Sequence, residues 1–309
     1  FNGDIQKLLL TLDTDLKGEQ IPEGKYNALM DTDLKNQLNI NDFNGQLMGG
    51  RVGLKGVVNW HNHVSWDVKG RLEKLNPKDK TVPQVAQDFL PPNLDANLSS
   101  SGSMEKGLSL KANLDFDKYE SWAIKLNQAE AKDHKAQPMM LNVAWQGIDR
   151  AVPYIGWLSS AEGHTDVTLK EGQQDIYVST KVRPHEKTLL PTGQYNARFD
   201  VKGDLLDVER FHYQAEKGSL TGQAKVKLPN EKQQLAWQAQ LQAQNFNPQT
   251  VVATAPVNLL NGQIKATGFA KPNQQIIQFD QIDLKGKMAQ AGKTETVALK
   301  GKSTAAYLP

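Results

Sequence analysis

The feature that most constrains this chain is a two-residue alternation of apolar and polar side chains. In Leu235-Ala236-Trp237-Gln238-Ala239-Gln240-Leu241-Gln242-Ala243-Gln244 one set of positions reads Leu, Trp, Ala, Leu, Ala and the other is almost all Gln. Side chains separate by twos only on a strand, since a helix repeats every 3.6 residues. The pattern recurs in Leu108, Leu110, Ala112, Leu114 and Phe116, and in Tyr195, Ala197, Phe199 and Val201. It recurs again in Val64, Trp66 and Val68, in Trp122, Ile124 and Leu126, and in Leu260, Gly262 and Ile264. These segments predict half-buried strands over nearly the whole length, and an all-β fold.

Helix signals are short. Asn76-Pro77 and Asn247-Pro248 each read as an N-cap followed by proline at the first helical position. The first would carry Val82, Val85, Ala86 and Phe89 before Pro91, and the second would run to Ala255 before Pro256. A third candidate covers 147–157, with Pro153 inside it.

Composition narrows the function classes. Lys and Arg number 36 against 34 Asp and Glu in 309 residues, and no basic run suggests a phosphate-binding face, so nucleic acid is not an expected partner. The chain has no cysteine, which removes disulfide scaffolds, thiolate metal sites and Cys nucleophiles. Apolar runs such as Leu8-Leu9-Leu10 fall far short of the roughly 20 residues a membrane helix needs. A start at Phe1 without a leader pattern reads as a soluble fragment of a longer protein.

The chain also repeats itself. Pro22-Glu-Gly24-Lys-Tyr26-Asn27-Ala28-Leu-Met-Asp31 matches Pro191-Thr-Gly193-Gln-Tyr195-Asn196-Ala197-Arg-Phe-Asp200 at six of ten positions. Phe43, Gly50, Trp66, Asn76-Pro77 and Gly102 then pair in order with Phe211, Gly218, Trp237, Asn247-Pro248 and Gly268. A block of about 20–105 is thus echoed at about 190–270, joined by a divergent 106–189, and all of 1–309 reads as one continuous β fragment. Lone hairpins cannot bury an apolar face, so repeated ones are expected to add side by side, about eighteen strands spanning roughly 85 Å. The apolar face could then close as a sandwich, wind as a solenoid or curl into a trough.

The segments Gly50-Arg-Val-Gly-Leu-Lys-Gly56-Val-Val-Asn-Trp60 and Val64-Ser-Trp66-Asp-Val-Lys-Gly70, leading to Asn76-Pro77, resemble the translocation and assembly module subunit TamB family. The later copy is similar again: Trp237 to Gln244, Asn247-Pro248, Pro256, then Leu260-Asn-Gly262-Gln-Ile264-Lys-Ala266-Thr-Gly268. The first copy departs at its last strand, where Ala96 stands for the first Gly, and 130–190 fits poorly. The resemblance implies an elongated antiparallel meander curled into a U-shaped β-taco, in a periplasmic protein anchored in the inner membrane of Gram-negative bacteria. It implies phospholipid transport, autotransporter and outer-membrane protein assembly, and a TamA-like outer-membrane barrel as partner, with nascent outer-membrane β-proteins as further clients. Groove-lining residues under this reading are Val64, Trp66, Val68, Leu108, Leu110, Leu114, Trp122, Ile124, Leu126, Tyr195, Phe199, Val201, Leu235, Trp237, Leu241, Leu260 and Ile264. Sixteen methylenes in water cost on the order of 13 kcal/mol, which a continuous apolar lane would remove. Read without the family, the same faces are a closed core of a structural or adhesive module that carries no lipid.

Chemical motifs fade on inspection. Ser103-Met-Glu-Lys106 has nucleophile spacing without a helix start, and His61-Asn-His63 lacks a third ligand. Asp13-Thr-Asp15 and Asp31-Thr-Asp33 read as the wet face of strands, and Gly301-Lys302-Ser303 lacks the first P-loop glycine. No enzyme, metal or cofactor is expected.

Overall fold

The alternating segments become strands because each offers one face to shelter and one to water. A computed structural model describes residues 7–16, 24–79, 82, 84–103, 105, 107–116, 119–130, 137–152, 156–183, 191–229, 234–251, 254–271, 274–290 and 293–307. The chain divides into two units, 1–154 and 155–309.

The first unit holds β1 (Leu8–Leu16), β2 (Gly24–Thr32), β3 (Gln37–Leu47), β4 (Gly50–Asn59), β5 (Ser65–Leu75), β6 (Leu94–Ser103), β7 (Gly107–Phe116), β8 (Glu120–Gln128) and β9 (Met139–Val152). Each pairs antiparallel with its neighbour in sequence. The second unit repeats the scheme with β10 (Gly156–Lys170), β11 (Gln173–Val182), β12 (Gly193–Lys202), β13 (Leu205–Gln214), β14 (Ser219–Lys227), β15 (Ala236–Phe246), β16 (Leu259–Lys271), β17 (Gln274–Gln290) and β18 (Lys293–Tyr307). Each unit is an antiparallel meander, and among the described residues neither closes by pairing its first strand with its last. The all-β class expected from alternation and the curled antiparallel meander implied by the family resemblance are the ones observed.

Three register shifts bend the first unit's early strands, between Leu29/Met30, Ile40/Phe43 and Leu72/Leu75. The second unit has shifts between Arg198/Phe199, Val208/Phe211 and Ala243/Phe246, which lie 169, 168 and 171 residues further on, and two more without counterparts, between Lys265/Ala266 and Phe279/Ile282. The backbone agrees at the third shift: Lys74 and Asn245, 171 apart, both turn left-handed, at φ 53° and 49°. Such bulges sharpen local bend and twist, which is how a sheet curls toward its apolar side.

Helical structure is sparse. Asn76 Oδ1 accepts the Lys78 N–H at 3.0 Å, opening a turn, and the helix itself is only α1 (Gln84–Phe89). Asn247 caps a 3-10 turn at Pro248–Thr250, its Oδ1 accepting the Gln249 N–H at 3.0 Å. The helix expected over 147–157 is not formed: β9 runs to Val152 and β10 starts at Gly156, with Pro153 outside the described residues. In that stretch Ile148 is buried and Asp149 exposed, a strand alternation that outweighs local helix propensity.

Candidate functional site

Residues opposite one another in an antiparallel pair point to the same side of the sheet, so register converts nine separate alternations into rows. In the first unit one row runs Leu12, Ala28, Phe43, Leu54, Gly70, Leu98, Ala112, Ile124, Val143, apolar across all nine strands. The next runs Leu10, Met30, Ile40, Gly56, Val68, Ser100, Leu110, Leu126, Leu141. In the second unit the matching rows are Val167, Ile176, Phe199, Val208, Ala224, Ala239, Ala266, Phe279, Ser303 and Thr165, Val178, Ala197, Phe211, Gly222, Leu241, Ile264, Ile282, Gly301. Each unit therefore carries one predominantly apolar face, with Ser100, Thr165 and Ser303 as the polar members of these rows.

All but two of the residues singled out from sequence fall on these faces. Trp66 and Val68 come from β5, Leu108, Leu110 and Leu114 from β7, and Trp122, Ile124 and Leu126 from β8. Tyr195, Phe199 and Val201 come from β12, Trp237 and Leu241 from β15, and Leu260 and Ile264 from β16. Val64 and Leu235 sit just before β5 and β15, and Val64 is exposed. Residues that sequence reasoning missed, such as Leu54, Phe279 and Ile282, share the rows and differ in lying beside bulges.

Shelter varies across the face. Leu75, Ala96, Ala112 and Phe116 are buried in the first unit, as are Tyr213, Ala243 and Phe246 in the second, where Tyr195, Phe211, Leu220 and Leu260 pack around them. Leu8, Leu12, Leu241, Ile277 and Leu299, on the same faces, retain between 36% and 58% of their exposure. These positions on the apolar faces are open to solvent. Exposed apolar area of this kind marks interaction surfaces.

Polar atoms on the apolar face are tied down. Trp66 Nε1 donates to Ser100 Oγ at 2.9 Å, and the Tyr195 and Tyr213 hydroxyls donate to the carbonyls of Pro191 and Thr192 at 2.6 and 2.8 Å. Desolvation pushes both tyrosine hydroxyls above their ordinary range, so they stay neutral donors. One charge enters the face of the first unit: Glu120, buried, receives Arg150 Nε at 2.8 Å and Nη2 at 2.9 Å, and Trp122 Nε1 at 2.9 Å. The pair neutralises itself at the margin, beside Phe116.

The opposite faces are mostly polar, with Leu9, Leu29 and Phe269 exposed among the polar residues. A cavity of about 470 Å³ lies there in the second unit, between Gln223, Lys225, Gln238, Gln240, Lys265 and Asp280. Asp13 and Asp15 are exposed on β1. Asp31 accepts Nδ2 of Asn39 and Asn41 at 2.7 and 2.6 Å, bonds that lower its pKa with help from Lys7. His63 Nδ1 meets Glu105 Oε1 at 2.8 Å in a turn, and among the described residues no cluster of three metal-ligating side chains occurs. Ser103 ends β6 while Lys106 lies outside the described residues, and Gly301-Lys302-Ser303 sits inside β18 instead of a phosphate loop.

No curated protein and no solved structure matches the chain. A family model does: that of the TamB N-terminal domain, over residues 1–134 and 165–305, which is most of the length. With alternation, register and an open apolar face already pointing to a β-groove, this match establishes that the chain belongs to the TamB family.

Proposed function

We propose that this chain is a section of a periplasmic bridge that conducts phospholipid between inner and outer membranes. Acyl chains lie along the apolar rows while headgroups remain in water, so the transfer cost of each methylene is removed along the way. The residues expected to touch lipid are those named from the sequence, Val64, Trp66, Val68, Leu108, Leu110, Leu114, Trp122, Ile124, Leu126, Tyr195, Phe199, Val201, Leu235, Trp237, Leu241, Leu260 and Ile264. The observation that carries the reading is the row from Leu12 to Val143, apolar on nine consecutive strands, with its counterparts in the second unit. A single ligand pocket would need only a local patch, whereas a lane needs continuity.

Membership of the TamB family, a transport and assembly family, supports the same reading. Under it the full protein is anchored in the inner membrane, works with a TamA-like outer-membrane barrel, and assists outer-membrane and autotransporter proteins whose unpaired strands can add to a sheet edge. The two units share three bulge positions, which fits descent of 20–105 and 190–270 from one duplicated block. The function requires no catalysis, and no cofactor is part of it.

Photo-crosslinkers placed at Leu235, Leu241 and Ile264 are expected to capture phospholipid in cells, and those at Gln238, Gln240 and Lys265 are not. Equal capture by both sets sinks the proposal, because Gln240 and Lys265 pair on the opposite face one residue from Leu241 and Ile264.

A further inference from the structure

The polar face of the first unit carries a row of its own. Lys55 on β4 lies opposite Lys69 on β5, then come Ser99 on β6, Lys111 on β7 opposite Lys125 on β8, and Asn142 on β9. All four lysines are exposed. With strands about 4.8 Å apart, the four ammonium groups line up over roughly 19 Å.

Like charges set directly opposite on a sheet oppose folding, so two such pairs in one row call for a reason. A local carboxylate supplies it for Lys55 alone. Asp42 approaches Lys55 at 3.7 Å. In the two flanking rows from β4 to β9, the only carboxylate is Asp67, and Lys111 and Lys125 are bordered by Ser109, Asn113, Ala123 and Asn127. The fold does not supply it. At the corresponding place in the second unit, set by the matching bulges, the row reads Gln223, Gln240, Lys265, Gln281. The same register is thus compatible with amides.

We infer that this lysine row docks the first unit on an anionic lipid bilayer surface. The row is a line of point charges on an outward face, without the bidentate forks of arginine or a pocket for a single phosphate, and it complements a surface of many fixed negative charges. The inference stands apart from the conduit reading, since it uses the other face of the sheet.

The test is sedimentation of the full chain with vesicles of phosphatidylcholine alone and of phosphatidylcholine containing roughly a third phosphatidylglycerol. Preferential binding to the anionic vesicles is expected, weakening as salt is raised. Replacing Lys55, Lys69, Lys111 and Lys125 together by Gln should lower that preference on the order of tenfold or more, each lysine near the surface being worth about fivefold. Replacing Lys202 and Lys300 by Gln should leave it unchanged. If the fourfold variant does not fold, the pairs Lys55→Gln/Lys69→Gln and Lys111→Gln/Lys125→Gln should each lose part of the preference. Equal binding to both vesicle types, or an unchanged preference in folded variants, overturns the inference. So does lysine-dependent binding of polyglutamate without vesicle binding, which would assign the row to an acidic polypeptide.

Discussion

Leu241 lays its side chain across Gly222, the residue directly opposite on the neighbouring strand; a Cβ at 222 would stand 2.6 Å from Leu241 Cδ2. The first unit holds the same arrangement with the partners exchanged: Leu54 lies over Gly70, where a Cβ would stand 2.7 Å from Leu54 Cδ2. One large and one absent side chain fill the same place from either strand. Gly222→Leu alone should therefore destabilise the chain by about 1–3 kcal/mol through overpacking. Adding Leu241→Gly should restore most of that loss, because it recreates the order found at Leu54 and Gly70. Denaturant midpoints of the two single variants and the double variant measure the coupling.

Glu120→Ala should be more damaging than either surface ion pair or single methyl deletions on the face. It leaves the Arg150 guanidinium, whose side chain keeps 20% of its exposure, without its bidentate partner. Removing one member of a buried pair costs about 3 kcal/mol, whereas the paired replacement Glu120→Leu with Arg150→Met should come close to neutral. Thermal unfolding of the three variants distinguishes these outcomes.

Leu241→Arg tests whether the face serves cargo or merely packs. At 41% exposure the longer side chain can carry its charge to water. The variant should keep its strand content by circular dichroism while phospholipid capture at Ile264, directly opposite, falls. Loss of cooperative unfolding would instead mark a sealed core.

Acid should loosen the turn between β2 and β3 only near the bottom of the acid range. Asp33 Oδ1 accepts the backbone N–H groups of Asn36, Lys35 and Gln37 at 2.7, 3.0 and 3.0 Å, and these bonds, that of Asn36 foremost, lower its pKa to about 2. A carboxylate depressed in the folded state lends stability above its unfolded pKa of about 4, lost as pH falls toward 2. Carboxyl NMR titration should place the Asp33 midpoint near 2, and Asp33→Ala should flatten the acid limb of the stability profile.

Strand identity was legible because alternation is local: Trp237, Ala239 and Leu241 declare a face within five residues. Phase across a bulge was not. In β3 the apolar face passes from Leu38 and Ile40 to Phe43 and Gly45, so counting by twos would turn Asp42 inward. Register is equally hidden, since Lys69 meets Ser99 thirty residues away across a long connection, and no spacing in the chain announces a row. Arg150 escaped notice for a related reason. Its stretch, with Pro153 close by, read as helix until pairing with Glu120 placed it on a strand.

Strand order equals chain order in both units, and this bears on how the molecule is made. A strand added in chain order finds its partner already waiting as the last edge laid down, so assembly can advance from one end without awaiting distant sequence. Length then becomes an adjustable quantity: whole hairpins can be spliced in or removed, and the reach of the ribbon altered, while every remaining pairing keeps its address.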